Sequence, residues 1–300
     1  MLFETILNGV LFGSTYSLVA IGFTLIFGVI HRLNVAHGAT IMVTAYAGAT
    51  VTIVFGSGSY LILLLAFIAS VVTGMMVGLL VEFVAFRPLS RASYLTPFVT
   101  SSAIAIIIEE IFVKLTRQVP IFLPEFTPFP SPLDDLSLSV AGIFIRGTYV
   151  ITFVVSLILM AILARWVSTS PAGRAMRAVE ENATVAALLG VNVRRTEVTA
   201  FVVASALAGA SGCLIGASVG SISPFMGTHL ILISFVVIVI GGLGNIVGAM
   251  LGGLLVGVLE ALVARYWSPT YSETVLFITV FLVLLVRPHG LFSRLAVAKD

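Results

Sequence analysis

From Ile6 to Ile30 the chain runs for twenty-five residues without a charged side chain. An α-helix needs about 20 mainly apolar residues to cross a bilayer. The run is too long for the apolar core of a signal peptide, and Met1-Leu2-Phe3-Glu4 lacks a positive leader. It is therefore read as a retained transmembrane helix. Eight further apolar segments follow, at 39–55, 60–86, 97–114, 148–165, 198–220, 228–243, 246–264 and 272–287. Those at 39–55 and 228–243 lie near or under the spanning minimum, so each is a tilted span, a half-helix or a re-entrant piece. With 59% hydrophobic and only 9% charged residues, against roughly a quarter charged in soluble domains, the chain cannot clothe its own surface for water. The expected fold is all-α: one polytopic transmembrane bundle over residues 1–300, with eight to nine hydrophobic segments including short or broken helices.

The net charge of +2 is too small to indicate nucleic acid. The distribution of basic residues says more. With the N-terminus outside and nine crossings, Arg32, Arg87, Arg91, Arg165, Arg174, Arg177, Arg194, Arg195, Arg287, Arg294 and Lys299 fall on the cytoplasmic side. Lys114, Arg117, Arg146 and Arg265 fall outside. This asymmetry predicts an N-out, C-in topology. The single cysteine, Cys213, lies in an apolar segment and is expected to pack as an ordinary thiol.

Two polar stretches interrupt the pattern. The outer one, 115–147, holds Pro120, Pro124, Pro128, Pro130 and Pro132 with Asp134 and Asp135, and reads as an extracytoplasmic cap, a docking surface or a plain connector. The inner one, 168–197, reads as helical although it lies outside the bilayer. Ser170 is a plausible N-cap with Pro171 at the first helical position, and Arg177 stands four residues before Glu181. Asn182 offers a second cap, Ala183 to Leu189 forms a small turn rich in Ala and Leu, and Gly190 is the expected stop. A loop that only carries charge has no use for two caps, so the segment is expected to dock a partner protein.

No G-x-x-x-x-G-K-[ST] motif occurs, so the chain is not expected to hydrolyse ATP or to act as an enzyme. The glycines at 242–248 lack the spacing and following acid of a dinucleotide loop. His31, His37, His229 and His289 are scattered without an i,i+4 pair, so no metal site is expected. Ser14, Ser17, Ser205 and Ser234 sit in apolar segments, where a hydroxyl ordinarily bonds the preceding turn. Glu82, Glu109, Glu110 and Glu260 lie near segment ends, with Arg87, Lys114 or Arg265 within a turn or so. An ion-coupled carrier would instead place ionisable groups along a mid-membrane path.

Glycines within the hydrophobic segments, such as Gly209 with Gly212 and Gly248 with Gly252, suit close helix packing. Two turns look alike: Asn34-Val35-Ala36-His37-Gly38-Ala39 after the first helix and Asn245-Ile246-Val247-Gly248-Ala249 after the seventh. Each is a hinge or pathway wall, or an interfacial turn capped by Asn, and the pair suggests a weak internal repeat. Candidates for the pathway or gate are Asn8, Tyr16, Asn34, His37, Gly38, Gly242, Gly244 and Asn245.

The chain resembles the permease subunits of branched-chain amino-acid ABC importers. The resemblance spans nearly the whole chain, through Gly13-Ser14-Thr15-Tyr16-Ser17-Leu18, Leu33-Asn34-Val35-Ala36-His37-Gly38, Ser170-Pro171-Ala172-Gly173-Arg174-Ala175-Met176-Arg177-Ala178, Ile222-Ser223-Pro224-Phe225-Met226-Gly227, Gly241-Gly242-Leu243-Gly244-Asn245 and Arg287-Pro288-His289-Gly290-Leu291. It implies a multi-pass protein of the bacterial inner membrane that is surrounded by lipid and pairs with a second, homologous permease. It also implies two cytoplasmic ATPases, which bind the ATP and Mg, and a periplasmic or lipid-anchored binding protein. No cofactor of this chain is implied. The 170–192 stretch would be the coupling element, with contact candidates Arg174, Arg177, Glu180, Glu181, Ala186 and Leu189 and with Gly173 and Gly190 shaping the backbone. Thr228-His229 departs from the pattern by lacking a basic residue that many members carry there, which leaves urea, amides or other amino acids as alternative substrates.

Overall fold

The computed structural model describes residues 2–56, 58–89, 95–118, 126–133, 137–140, 143–288 and 290–292. Arg91, Pro120, Pro124, Asp134, Asp135, His289, Arg294 and Lys299, which enter the readings above, lie outside the described residues. Ten α-helices are present among those described: α1 (Leu2–Ile30), α2 (Ala36–Phe55), α3 (Tyr60–Val81), α4 (Leu95–Gln118), α5 (Gly147–Thr169), α6 (Pro171–Leu188), α7 (Val193–Val219), α8 (Met226–Gly241), α9 (Ile246–Tyr266) and α10 (Ser272–Val286). Each of the nine apolar segments became a helix, and α6 is the helix of the inner polar stretch.

Among the described residues, seven helices are long and apolar enough to cross a membrane: α1, α2, α3 with its π-helical continuation Glu82–Phe86, α5, α7, α9, and α10 with the preceding 3-10 turn. The protein is therefore a multi-pass membrane protein. The short segment at 39–55 gains a turn at its start and becomes a 20-residue helix of full spanning length. By contrast, α8 has only 16 residues. Helix α4 carries Glu109, Glu110, Lys114 and Arg117 in its last ten residues and continues to Gln118, four residues beyond the expected limit.

Helix α1 is the hub. Buried residues make up 83% of its most apolar stretch, against 17% for α10, so α1 is surrounded by protein and α10 lies at the periphery. Among lipid chains an apolar helix gains little by touching another apolar helix, so small residues that let backbones approach decide who packs where. A Cβ on Gly253 would overlap the Ser17 backbone, and one on Gly257 would overlap Gly13. At this seam the Ser17 hydroxyl donates to the Met250 carbonyl across the helices at 2.7 Å. The same device joins α3 to α7, where a Cβ on Gly74 would meet Gly209 at 3.1 Å. Ser14 and Ser234 stay local, as expected, bonding Leu11 O at 2.7 Å and Leu230 O at 2.6 Å, whereas Ser70 of α3 donates across to Thr44 O of α2 at 2.8 Å.

The stretch at 115–147 is more structured than its prolines suggest. Strand β1 (Thr127–Pro128) pairs with β4 (Ser221–Ile222), and β2 (Ser137–Val140) pairs with β3 (Ile143–Arg146). Phe129 is fully buried, and Phe129 N donates to Gly220 O at 2.9 Å. These contacts gather residues 126–133 and 219–226 at one end of the bundle, here the loop end. At the other end Arg32 donates to Leu89 O at 3.0 Å, Asn245 donates to Phe292 O at 2.8 Å, and α6 packs beneath them.

Candidate functional site

The inner polar stretch folds as its caps require. The Ser170 hydroxyl accepts from Gly173 N at 2.9 Å, with Pro171 at the first helical position. At Asn182 the backbone swings out to an extended conformation, and its side chain accepts from Val185 N at 3.0 Å, so α6 is two short helices joined at a kink. Gly190 has φ +87, a left-handed turn that favours glycine, and Asn192 caps α7 by accepting from Arg195 N at 3.0 Å.

Every third residue of the first piece, Gly173, Met176 and Val179, turns inward and is buried. A side chain at Gly173 would overlap the Val167 carbonyl, so glycine is what lets α6 fold back under α5. The second piece presents Leu188 at 83% and Leu189 at 79% exposure, with Val185 beside them. Such apolar side chains on a helix outside the span lack a covering in this chain.

Three expected contact residues are placed differently. Ala186 is buried at 2% exposure, because the kink at Asn182 rotates it toward the bundle. Arg177 does not pair with Glu181. Its guanidinium donates to the carbonyls of Val167 and Ser168, and Arg174 donates to Thr169 O at 3.0 Å. Both arginines therefore satisfy the open carbonyls and negative end of α5. Glu180 points inward, and a Cβ on Gly28 or Gly244 would lie only 3.4 or 3.3 Å from its Oε1. Burial pushes this carboxyl above the ordinary range, and the charge of Arg177 pulls it partly back. Arg174, Glu181, Leu189 and Gly190 remain on the outer surface.

The pathway candidates separate into groups. Tyr16 lines a cavity of about 370 Å³ at the loop end, with Phe12, Ile215, Val219, Met226 and Leu230 among its apolar walls. Glu260 faces the same cavity. Its carboxyl engages the Tyr16 hydroxyl, with His229 and Glu273 in electrostatic reach, whereas the sequence reading gave it Arg265 as neighbour. His229 Nε2 lies 3.2 Å from Glu273 Oε1. A second cavity, about 560 Å³, lies at the α6 end and is bordered by Ile30, Arg32, Glu82, Arg87, Glu180 and Glu197 among others. The two share no lining residue.

His37 and Gly38 line neither cavity. His37 is buried against Gly22 and Phe23, and Gly38 packs on the Gly227 carbonyl, so this turn serves α1–α2–α8 packing. Asn8 is half-buried on the first turns of α1, away from both cavities. The two Asn turns also differ. Asn245 is a true cap, accepting from Gly248 N at 3.1 Å. Asn34 is buried, α2 is preceded by Val35 with no side-chain cap, and Asn34 Oδ1 has no hydrogen-bond partner among the described residues. Gly242 (φ +98) and Gly244 (φ +81) form the left-handed turn that Glu180 touches.

Sequence reasoning passed over Phe12 and gave His229 and Glu260 no place among the pathway candidates. A signal for Glu260 was present: it lies three residues after Gly257 and seven after Gly253, on the face of α9 that packs on α1.

A family model described as a branched-chain amino acid transport system permease component matches residues 5–284. The BraD permease protein of a high-affinity branched-chain amino acid transport system in Pseudomonas aeruginosa is 34% identical over 300 residues, covering 99% of this chain and 97% of the relative. The corresponding LivH protein of Escherichia coli is 32% identical over 304 residues, with 99% and 97% covered. A shorter match, 32% over 125 residues, links 40% of this chain to 28% of the Escherichia coli permease protein LivM. With a family match over most of its length and relatives aligned end to end, the chain belongs to the family of branched-chain amino acid transport system permease components.

Proposed function

We propose that this permease is the membrane-spanning subunit of an ATP-driven importer of branched-chain, hydrophobic amino acids in the bacterial inner membrane, with its N-terminus outside and its C-terminus inside. The observation that carries this reading is the doubly capped α6, whose second piece holds Leu188 and Leu189 out from the bundle. ATP and Mg are handled by two separate ATPase subunits, and the exposed leucines enter a groove on one of them. A homologous permease completes the pathway, a pairing supported by the partial match to LivM. A binding protein delivers substrate at the loop end. The substrate class is supported by the printed functions of BraD and LivH.

The geometry suits this work. Arg174 and Arg177 tie the first piece of α6 to the end of α5, so a push on the exposed piece is passed to a spanning helix rather than absorbed in a loop. Glu180 carries the same displacement to Gly28 at the end of α1 and to Gly244 in the α8–α9 turn. Between the cavities, α1 is closely packed from Ser17 to Ile26, and Tyr16 and Val29 are separated by about 20 Å at 1.5 Å per residue. Motion of α1 is thus placed to open one cavity while closing the other.

The test is co-purification of the ATPase with membranes expressing the full complex. Deleting Ala183 to Leu189, or the gentler pair Leu188→Asp and Leu189→Asp, should leave the permease inserted at normal abundance and abolish ATPase capture. ATPase retained by the double variant would remove the coupling role from α6.

A further inference from the structure

Helix α4 carries an ion pair at a depth where a lipid-facing helix would not keep one. Glu110 and Lys114 stand one turn apart, with 3.7 Å between Glu110 Oε1 and Lys114 Nζ, and their side chains are 59% and 66% exposed. The depth of the pair follows from α2. Val35 N donates to Ser101 Oγ at 3.2 Å, and the Tyr46 and Phe112 rings lie 4.9 Å apart. Each contact joins positions 66 apart, so α4 runs parallel to α2 in a fixed register. Tyr46 is at the middle of α2, which spans Ala36–Phe55, and Phe112 therefore stands near mid-depth. Glu110 and Lys114 flank Phe112 at about 3 Å on either side along the axis, at 1.5 Å per residue. The sequence reading set both at the end of a hydrophobic segment, but the continuation of α4 to Gln118 brings them inside.

Exposed charge at that depth is costly in hydrocarbon, and side chains of this kind face protein or water. Lys114 does not stretch toward the loop-end surface but reaches back to Glu110. The outward faces of α3 and α10 suit lipid and look different: α3 has no charged residue, and α10 has none after Glu273. Glu109 shows how this chain treats a carboxyl it covers itself, since Glu109 accepts from the Thr228 hydroxyl of α8 at 2.6 Å. Glu110, one position on, is turned out. With Val99, Ala103, Ile107 and Arg117, the pair forms an exposed stripe at three- and four-residue spacing, which is how one face of a helix meets another.

We infer that this stripe of α4 is the seam with a second permease chain, covered by a spanning helix whose polar side chains meet Glu110 and Lys114 at mid-depth. The inference rests on the heteromeric importer proposed above and deepens it, because it says which face of this chain the second permease covers. Of the proposed partners only that permease reaches mid-depth, since the binding protein and the ATPases act from outside the bilayer. A second copy of this chain fits less well. A two-fold axis along the membrane normal would set Glu110 level with Glu110 and Lys114 level with Lys114, like charge on like. A homologous but different chain can set an opposite charge at either height.

The experiment uses the complete complex, expressed with a tag on the second permease. The photoreactive residue p-benzoylphenylalanine is placed at Ile107 in the stripe or, for comparison, at Ile278 on exposed α10. Irradiation of intact membranes should join at least tenfold more second permease to the probe at Ile107 than to the probe at Ile278. Capture of lipid or of a second copy of this chain at Ile107 instead, or equal capture of the second permease at both positions, would overturn the seam. The combined variant Glu110→Leu and Lys114→Leu tests the pair without a probe. It should lower the second permease recovered per inserted chain at least fivefold, because polar groups on the partner lose their counterparts. Unchanged recovery would place the pair against lipid or water and overturn the inference. A wild-type complex that yields no second permease would instead strike the proposed function.

Discussion

At the loop end of α1, Phe12 and Tyr16 face a cavity of about 370 Å³ with apolar walls and one recessed carboxyl. At the α6 end, Ile30 and Arg32 border one of about 560 Å³ that collects Glu82, Arg87, Glu180 and Glu197. The first offers an apolar side chain a place to leave water, which is worth about 1.5–3 kcal/mol for a fully buried leucine-sized group. The second offers no comparable grip, because Arg32, Glu82, Arg87, Glu180 and Glu197 make much of its lining polar. A solute passing from one to the other therefore moves from a selective surface to a releasing one. Under the function proposed above, that contrast would favour entry at the loop end and release at the α6 end.

The sharpest break of this contrast is sidedness. In a Cys213→Ala background, Ser223→Cys should react with a membrane-impermeant maleimide added outside intact cells, and Ala183→Cys only in inside-out vesicles. This is an all-or-none difference, and the reverse pattern would exchange the roles of the two cavities. A smaller effect is expected in the wall between them. Gly253→Val forces a side chain into the Ser17 backbone, and overpacking of this kind costs about 1–3 kcal/mol. Thermal melting of the detergent-purified protein should drop for Gly253→Val and stay unchanged for Gly58→Val, where a Cβ meets nothing within 4 Å. Equal melting would mean that the α1–α9 seam does not hold the cavities apart.

The smallest effect concerns Glu180 at the α6 end. Burial raises its carboxyl in the folded protein, with Arg177 opposing. A carboxyl raised on folding lends stability below its unfolded value, and that contribution is lost as pH rises through the folded value. Glu180→Gln should accordingly melt above the wild type at pH 8, with the gap closing toward about pH 4. A gap that widens on acidification would show Glu180 paired with a cation stronger than Arg177. Because the group is half exposed, solvent screening keeps the shift modest.

The legible parts of the site were the local ones. Ser170, Asn182 and Gly190 act on backbone groups within three residues or on their own φ, so their order along the chain predicted both pieces of α6 and their ends. Arg177 illustrates the limit. Spacing offered Glu181 on the same helix, but the exposed carbonyls of α5 were a stronger partner once the chain folded back at Ser170. Ala186 is a second case, since a kink at Asn182 changes which side of the next turn faces inward.

What the sequence determined by itself was residence in the membrane, the count of apolar segments and the capped helix outside them. These follow from composition, segment length and short-range hydrogen bonding, none of which requires knowing a distant neighbour. Only the tertiary structure decided that α1 is the hub, that His37 and Gly38 are packing residues, and that Tyr16, His229 and Glu260 face one cavity. Those assignments depend on pairs such as Ser17 with Met250, 233 residues apart. In a bilayer, where all outward faces are equally apolar, only the fit of small residues tells one face of a helix from another.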